Sequence, residues 1–97
     1  MVRHIVMWNF KPELSAGEKR ENAQKIKISI ENLKNIIEGI TEIKVYTPFS
    51  GNRDIILDST FTSKKALEDY ITHPEHIKAG ELVRAVTQDR ASADFEI

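Results

Sequence analysis

The sequence predicts an α+β fold in which the elements follow the order β-α-β-β-α-β. Three observations predict it. Apolar and polar residues alternate in four separate segments, as they do in β-strands. Two other segments space their apolar residues as helices do, and turn residues separate the elements. A chain of 97 residues is short for two domains, so we expect a single domain over residues 1–97.

The first strand is predicted over residues 2–10, and an amphipathic helix follows it. Both alternating sets of this strand contain apolar side chains, so both of its faces should be covered; the sets are His4, Val6, Trp8 and Phe10 against Arg3, Ile5, Met7 and Asn9. Ser15 and Glu18 fit a capping box at the start of the helix. Gly39 is expected to stop the helix in a left-handed conformation, after an apolar stripe of Ala23, Ile26, Ile30, Leu33 and Ile37.

The remaining elements are two strands, a broken helix and a last strand. The strands cover residues 41–49 and about 54–61, with a turn at 50–52 between them. Ser63 should cap a short helix, and Pro74 fits the first position of a new helical segment with His73 at the boundary. Residues 91–97 alternate again. This is the ferredoxin-like, split βαβ arrangement, a four-stranded antiparallel sheet with helices on one face.

The composition limits the classes of function. A net charge of −1 removes the main electrostatic argument for binding nucleic acid. No apolar run approaches the roughly 18 residues of a membrane span, and the N-terminus enters an alternating pattern instead of a signal peptide. Without cysteine there is no disulfide, thiol nucleophile or thiolate metal site. We therefore expect a cytoplasmic protein that binds neither nucleic acid nor membranes.

The predicted sheet leaves one face open, and that face is not polar. Ile5 and Met7 lie on the side of the first strand away from His4. An open sheet with apolar residues on both faces needs a partner, so we expect two copies to pair face to face as a homodimer.

Three polar ring side chains are the candidate site residues. His76 would sit near the start of the last helix, where the helix dipole keeps the imidazole neutral and able to act as a base. Tyr70 could donate its hydroxyl to a substrate oxygen or orient His76, but it also falls in an apolar stripe and could simply pack in the core. His4 alternates with Val6 and Trp8, so it is either a core histidine with its hydrogen bonds satisfied or part of the same site. Trp8 is either a core residue or one wall of a cavity.

Other chemistries have weak support in the sequence. His73 and His76 form an H-x-x-H pair with Glu75 as a further ligand, but zinc sites need three or four protein ligands, so no metal site is predicted. The chain has no G-x-S-x-G motif, no phosphate-binding glycine loop and no G-x-G-x-x-G motif.

The chain resembles the stress-responsive dimeric α/β-barrel family over essentially its whole length. The resemblance is carried by residues 3–12, by Ala66-Leu67-Glu68-Asp69-Tyr70 with His73-Pro74-Glu75-His76, and by residues 93–97. It implies a ferredoxin-like subunit whose sheet joins that of a second copy to form a barrel. Some members are stress-induced proteins, and others are plant polyketide cyclases that use no cofactor. By position, the resemblance implies that His76 is a general base, that Tyr70 assists it and that His4 faces the same cavity.

Two hypotheses of function follow. In the first, a cavity between sheet and helices binds a hydrophobic carbonyl compound and catalyses proton transfer or an aldol-type closure without a cofactor; its walls are His4, Val6, Trp8, Leu57, Tyr70 and His76. In the second, the protein is a non-enzymatic stress-associated dimer, structural or protein-binding, with a filled interior. Small cofactor-free monooxygenases use the same folding pattern and form a third, weaker option.

Overall fold

The computed structural model describes all residues, 1–97, and confirms the α+β ferredoxin-like fold. Its elements in chain order are β1 (Val2–Phe10), α1 (Ala16–Glu31), a 3₁₀ helix (Asn32–Asn35), β2 (Ile40–Tyr46), β3 (Ile55–Phe61), α2 (Lys64–Thr72), α3 (Pro74–Val86) and β4 (Thr87–Glu96). The strands form one antiparallel sheet in the order β2-β3-β1-β4. None of the helices is both long and apolar enough to span a membrane.

The register of the sheet separates its residues into a helix-covered face and an open face. His4 pairs with Ser59 on β3 and with Asp94 on β4, and Val6 pairs with Leu57 and with Ser92. The core lies between this face and the helices, and its most deeply buried large side chains are Val6, Ile26, Ile55, Phe61 and Tyr70. The other set of alternating residues in β1, which includes Ile5 and Met7, points to the open face, as the alternation predicts.

The predicted helix starts are confirmed. The Ser15 hydroxyl accepts a hydrogen bond from the backbone N–H of Glu18, and the backbone N–H of Ser15 donates to the Glu18 carboxylate, which completes the capping box. Ser63 caps α2 by accepting from the N–H of Ala66 at 3.1 Å. His73 is the N-cap of α3, with Pro74 at the first helical position. These caps satisfy backbone donors that a helix start leaves free.

The first helix ends earlier than predicted. It stops as an α-helix at Glu31 and tightens into the 3₁₀ helix. The Glu31 carboxylate at this junction accepts from Lys27 and from the backbone N–H of Val45, which ties the end of α1 to β2. Gly39 does have a positive φ of 90°, but it serves the turn into β2 instead of stopping the helix. A Cβ there would lie 2.6 Å from Cβ of Ala66, so glycine also permits the close approach of α2.

Two strand boundaries also differ from the prediction. β2 ends at Tyr46, before Pro48, and Phe49 is fully exposed instead of continuing the alternation. β4 begins at Thr87, four residues before the predicted start at Ala91. The early part of β4 contains a β-bulge, in which two residues lie opposite Trp8 of β1. The bulge breaks the alternation that would have revealed this part of the strand.

Candidate functional site

A cavity of about 180 Å³ lies between the sheet and α3. All of the predicted site residues line it: His4, Val6, Trp8, Leu57, Tyr70 and His76. Strand β1 contributes three alternate residues of this set and β3 contributes Leu57, and the helices contribute residues on either side of the break at His73. The structure therefore brings the candidates together in one place; their roles stay predictions.

Tyr70 is buried to 0% exposure, and its hydroxyl has no hydrogen-bond partner in the protein. Its ring packs against three others, with centroid distances of 4.2 Å to His76, 4.9 Å to Phe61 and 6.3 Å to His4. Burial strongly raises the pKa of the phenol. The hydroxyl therefore keeps its proton at neutral pH and is a free donor. An unpaired buried donor is unusual and invites an explanation in terms of a bound group.

His76 is the third residue of α3 and is half-buried at the cavity wall. Its Nδ1 lies 3.0 Å from the carbonyl oxygen of Ile71, which can only accept, so Nδ1 carries the proton and Nε2 has the free lone pair. Burial is the largest cause that lowers the pKa of this imidazole, and nearby positive charges lower it further. The hydrogen bond to Ile71 opposes this shift but is outweighed. The neutral ring is thus a base at physiological pH.

His4 is buried at 6% exposure and is hydrogen-bonded, as a core histidine should be. Its Nδ1 is bound to Oδ1 of Asp94, which is directly opposite on β4. A carboxylate only accepts, so Nδ1 is the donor. The backbone carbonyl of His4 accepts from the hydroxyl of Ser59 at 2.9 Å. The His4 ring therefore has its hydrogen-bond partner, as a core histidine does, and also lines the cavity, so the two interpretations are compatible.

The apolar walls come from the sheet. Val6 and Leu57 are a cross-strand pair, exposed by only 2% and 3%. Trp8 is partly buried and packs against the core, so it is a core residue and a wall at once. Such side chains exclude water and strengthen any hydrogen bond or charge interaction inside the cavity.

Sequence reasoning missed two arginines that line the same cavity, Arg84 of α3 and Arg90 of β4. Neither forms an ion pair with an acidic side chain. Arg90 fell outside the predicted last strand. Arg84 lies in the last turn of α3, where basic residues are common for reasons of helix stability. No set of three histidine, aspartate or glutamate side chains is placed to hold a metal ion.

The chemistry available in this cavity is proton transfer beside a carbonyl group. A neutral imidazole can take a proton from carbon, and a protonated phenol can donate a hydrogen bond to the oxygen on which charge develops. The two rings are in contact, so one small substrate can reach both.

Comparison with known proteins extends these observations. The family model described as "Stress responsive A/B Barrel Domain" matches residues 2–97. Olivetolic acid cyclase of Cannabis sativa is 29% identical over 97% of this chain and 94% of its own length. A dimeric ferredoxin-like protein of unknown function from Bacteroides fragilis superposes with a TM-score of 0.92 at 31% identity, covering 99% of this chain and 95% of that one. Hydroxynitrile lyase from Passiflora edulis shares the fold, with a TM-score of 0.83 at 21% identity over 99% of this chain and 92% of that one.

Proposed function

This chain belongs to the stress responsive A/B barrel domain family, and from that premise we propose that it is a cofactor-free acid–base enzyme acting on a small hydrophobic carbonyl compound. The observation that carries the proposal is the unpartnered, buried hydroxyl of Tyr70 in contact with the neutral ring of His76. A core that only had to be stable would gain from phenylalanine at position 70, because a buried donor without a partner costs roughly 1–3 kcal/mol.

The proposed step is removal of a proton from the carbon next to the carbonyl. Nε2 of His76 accepts the proton, and the electron pair of the C–H bond moves into the enolate. Tyr70 donates its hydroxyl to the carbonyl oxygen, where the negative charge collects. Its high pKa keeps this donation a hydrogen bond and not a full proton transfer. Positioned acid–base groups of this kind typically accelerate proton transfer by about 10²–10⁴-fold.

A second carbonyl on the same substrate would turn this step into a ring closure. The enolate carbon attacks the second carbonyl carbon, a C–C bond forms, and the proton held by His76 is delivered to the oxygen of that carbonyl. Atoms and charge then balance without a cofactor. The similarity to olivetolic acid cyclase supports a cyclase-like reaction of this type.

The alternative is a non-enzymatic stress-associated dimer. It predicts a filled interior, and a cavity of about 180 Å³ beside His76 counts against it. The volume is below the roughly 300–1,000 Å³ of pockets that hold drug-sized ligands. We therefore expect a small substrate, or a larger one of which only the reacting part enters.

Exchange of carbon-bound protons in deuterated water tests the proposal without knowledge of the natural substrate. With 2-heptanone as the probe, proton NMR should show loss of the signals next to the carbonyl faster with the protein than in buffer. His76→Ala should lower the added rate by about 100-fold or more.

His73→Asn is the matched control. It removes a histidine from the same segment but outside the cavity, and asparagine preserves the cap of α3. Its exchange rate should equal that of the original protein. An unchanged rate in His76→Ala, or no rate above buffer in the original protein, would overturn the proposal.

A further inference from the structure

Two unpaired arginines at the wall of the cavity carry an inference about the substrate. Arg84 and Arg90 come from different elements, α3 and β4, and both line the cavity that holds Tyr70 and His76. Their guanidinium groups make no ion pair, and the hydroxyl of Ser92, 3.2 Å from Nη1 of Arg90, is the one hydrogen-bond partner that either has. Other cations of this protein do have acidic partners, including Arg3 with Asp58.

Arg90 is directed to the cavity by the β-bulge. Asp89 and Arg90 together lie opposite Trp8, and Asp89 has a positive φ of 55°. If residues 87–91 alternated strictly, without the bulge, Thr87 and Asp89 would face the helices and Arg90 would lie on the open face. Bulges commonly re-aim a side chain in this way next to functional sites. A left-handed backbone at a residue other than glycine is uncommon, and it persists here to place the bulge.

Arg84 is accommodated by a glycine one turn before it. Gly80 also lines the cavity, and a Cβ at that position would lie 3.0 Å from Nη1 of Arg84. The guanidinium thus lies close against the helix backbone, in the space that a side chain would fill. Both arginines are near enough to His76 that their charges help to lower its pKa.

We propose that Arg84 and Arg90 bind a carboxylate carried by the substrate, so that the substrate class is a small hydrophobic keto acid. Guanidinium groups match a carboxylate with paired, charge-assisted hydrogen bonds. The small cavity limits the distance between the carboxylate and the carbonyl to a few bonds. The carboxylate at the arginines then holds the carbonyl at Tyr70 and His76. This inference rests on the proposed function, whose site it completes.

Binding of 4-oxopentanoate and of its methyl ester tests the inference, since the two probes share a carbonyl and differ in the negative charge. Dissociation constants come from protein NMR titration. The acid should bind at least about tenfold more tightly than the ester, and added salt should reduce the difference. The double variant Arg84→Gln, Arg90→Gln should remove the preference for the acid over the ester. Arg90→Lys should retain part of it, because lysine keeps the charge but not the planar fork.

Arg20→Gln is the matched control, because Arg20 is an exposed arginine without an acidic partner that lies outside the cavity. It removes one positive charge outside the cavity, whereas the double variant removes two charges at the cavity wall, and it should keep the full preference. Equal affinity for acid and ester, or a preference that survives the double variant, overturns the inference. Tighter binding of inorganic phosphate than of 4-oxopentanoate overturns the assignment of a carboxylate.

The same samples separate failure of the inference from failure of the proposed function. If 2-heptanone exchanges in a His76-dependent way but the acid is not preferred, the arginine site is wrong and the catalytic proposal stands. If the acid binds through the arginines and 2-heptanone exchanges no faster than in buffer, the binding site stands and the catalytic proposal is wrong.

Discussion

The rings of Tyr70 and His76 contact each other with centroids 4.2 Å apart and planes tilted by 44°. On a continuous helix, two residues six positions apart would point about 120° away from each other. The chain avoids this by leaving the helix at His73, which has an extended backbone with ψ of 134°, and by starting α3 at Pro74. The break between the helices is therefore what allows the base and the donor to share one cavity.

Tyr70→Phe should separate stability from activity. The substitution removes a buried hydroxyl that has no partner and keeps the ring that packs against Phe61. We expect the free energy of unfolding to stay the same or to rise by about 1 kcal/mol. Exchange of 2-heptanone protons should fall by about 10²-fold, because the enolate loses its hydrogen-bond donor. Urea denaturation and NMR exchange check the two values. A less stable variant that retains full exchange would instead make the hydroxyl structural.

The pH dependence follows from the lowered pKa of His76. Between that value and the ordinary pKa of 6.5, the unfolded chain binds more protons than the folded one, so stability falls as the pH drops through this window. Urea denaturation between pH 7.5 and 5.5 should show the loss, and His76→Gln should show less of it. The exchange rate should fall over the same window, with a midpoint below 6.5, because protonation removes the base. A midpoint above 6.5 would contradict the buried, neutral ring.

Local patterns in the sequence predicted the fold and most of the site for a physical reason. A strand places every second residue on the same face of the sheet. A helix places every third or fourth residue on the same side. His4, Val6 and Trp8 therefore had to share a face with Leu57, and the helix stripe had to bring Tyr70 over them. Capping residues act within three positions, so Ser15, Ser63 and His73 could be interpreted without knowledge of the fold.

Features that depend on contacts distant in sequence could not be predicted. The Glu31 carboxylate at the end of α1 accepts from the backbone N–H of Val45 on β2, fourteen positions away, and no residue near Glu31 signals this contact. The bulge that re-aims Arg90 exists because β4 pairs with β1 across the whole length of the chain. The partner of His4, Asp94, is set by the same pairing. Arginine side chains near a helix end or strand start are common on surfaces, so their type alone did not mark them as site residues.

The open face of the sheet leads to a prediction about assembly. Ile5, Met7 and Ile56 are only partly covered there, and Phe95 is 45% exposed. The Bacteroides fragilis relative is dimeric, which supports a homodimer here. Analytical ultracentrifugation should show a dimer at micromolar concentration. Met7→Asp should shift it to monomer, because a carboxylate would be buried without a partner in the paired face.

Phe49→Asp is the control for that experiment. Phe49 is as apolar as Met7 but is fully exposed in the loop after β2 and lies outside the sheet. This variant should remain dimeric. A monomer in the original protein would contradict the homodimer. A dimer that survives Met7→Asp, or one that is lost in Phe49→Asp, would contradict the open face as the interface.

Gly80→Ala should raise stability and weaken keto acid binding in the same variant. Alanine in the middle of α3 gains about 0.5–1 kcal/mol over glycine. The three atoms nearest to its Cβ would all belong to the guanidinium of Arg84, the closest at 3.0 Å, so the guanidinium must shift from its place beside the cavity. We expect the dissociation constant of 4-oxopentanoate to rise by at least about threefold. Gly17→Ala in α1 is the control, because a Cβ there has only ordinary contacts, at 3.9 Å. If Gly80→Ala binds the acid as tightly as the original protein, the gap left by the glycine does not position Arg84.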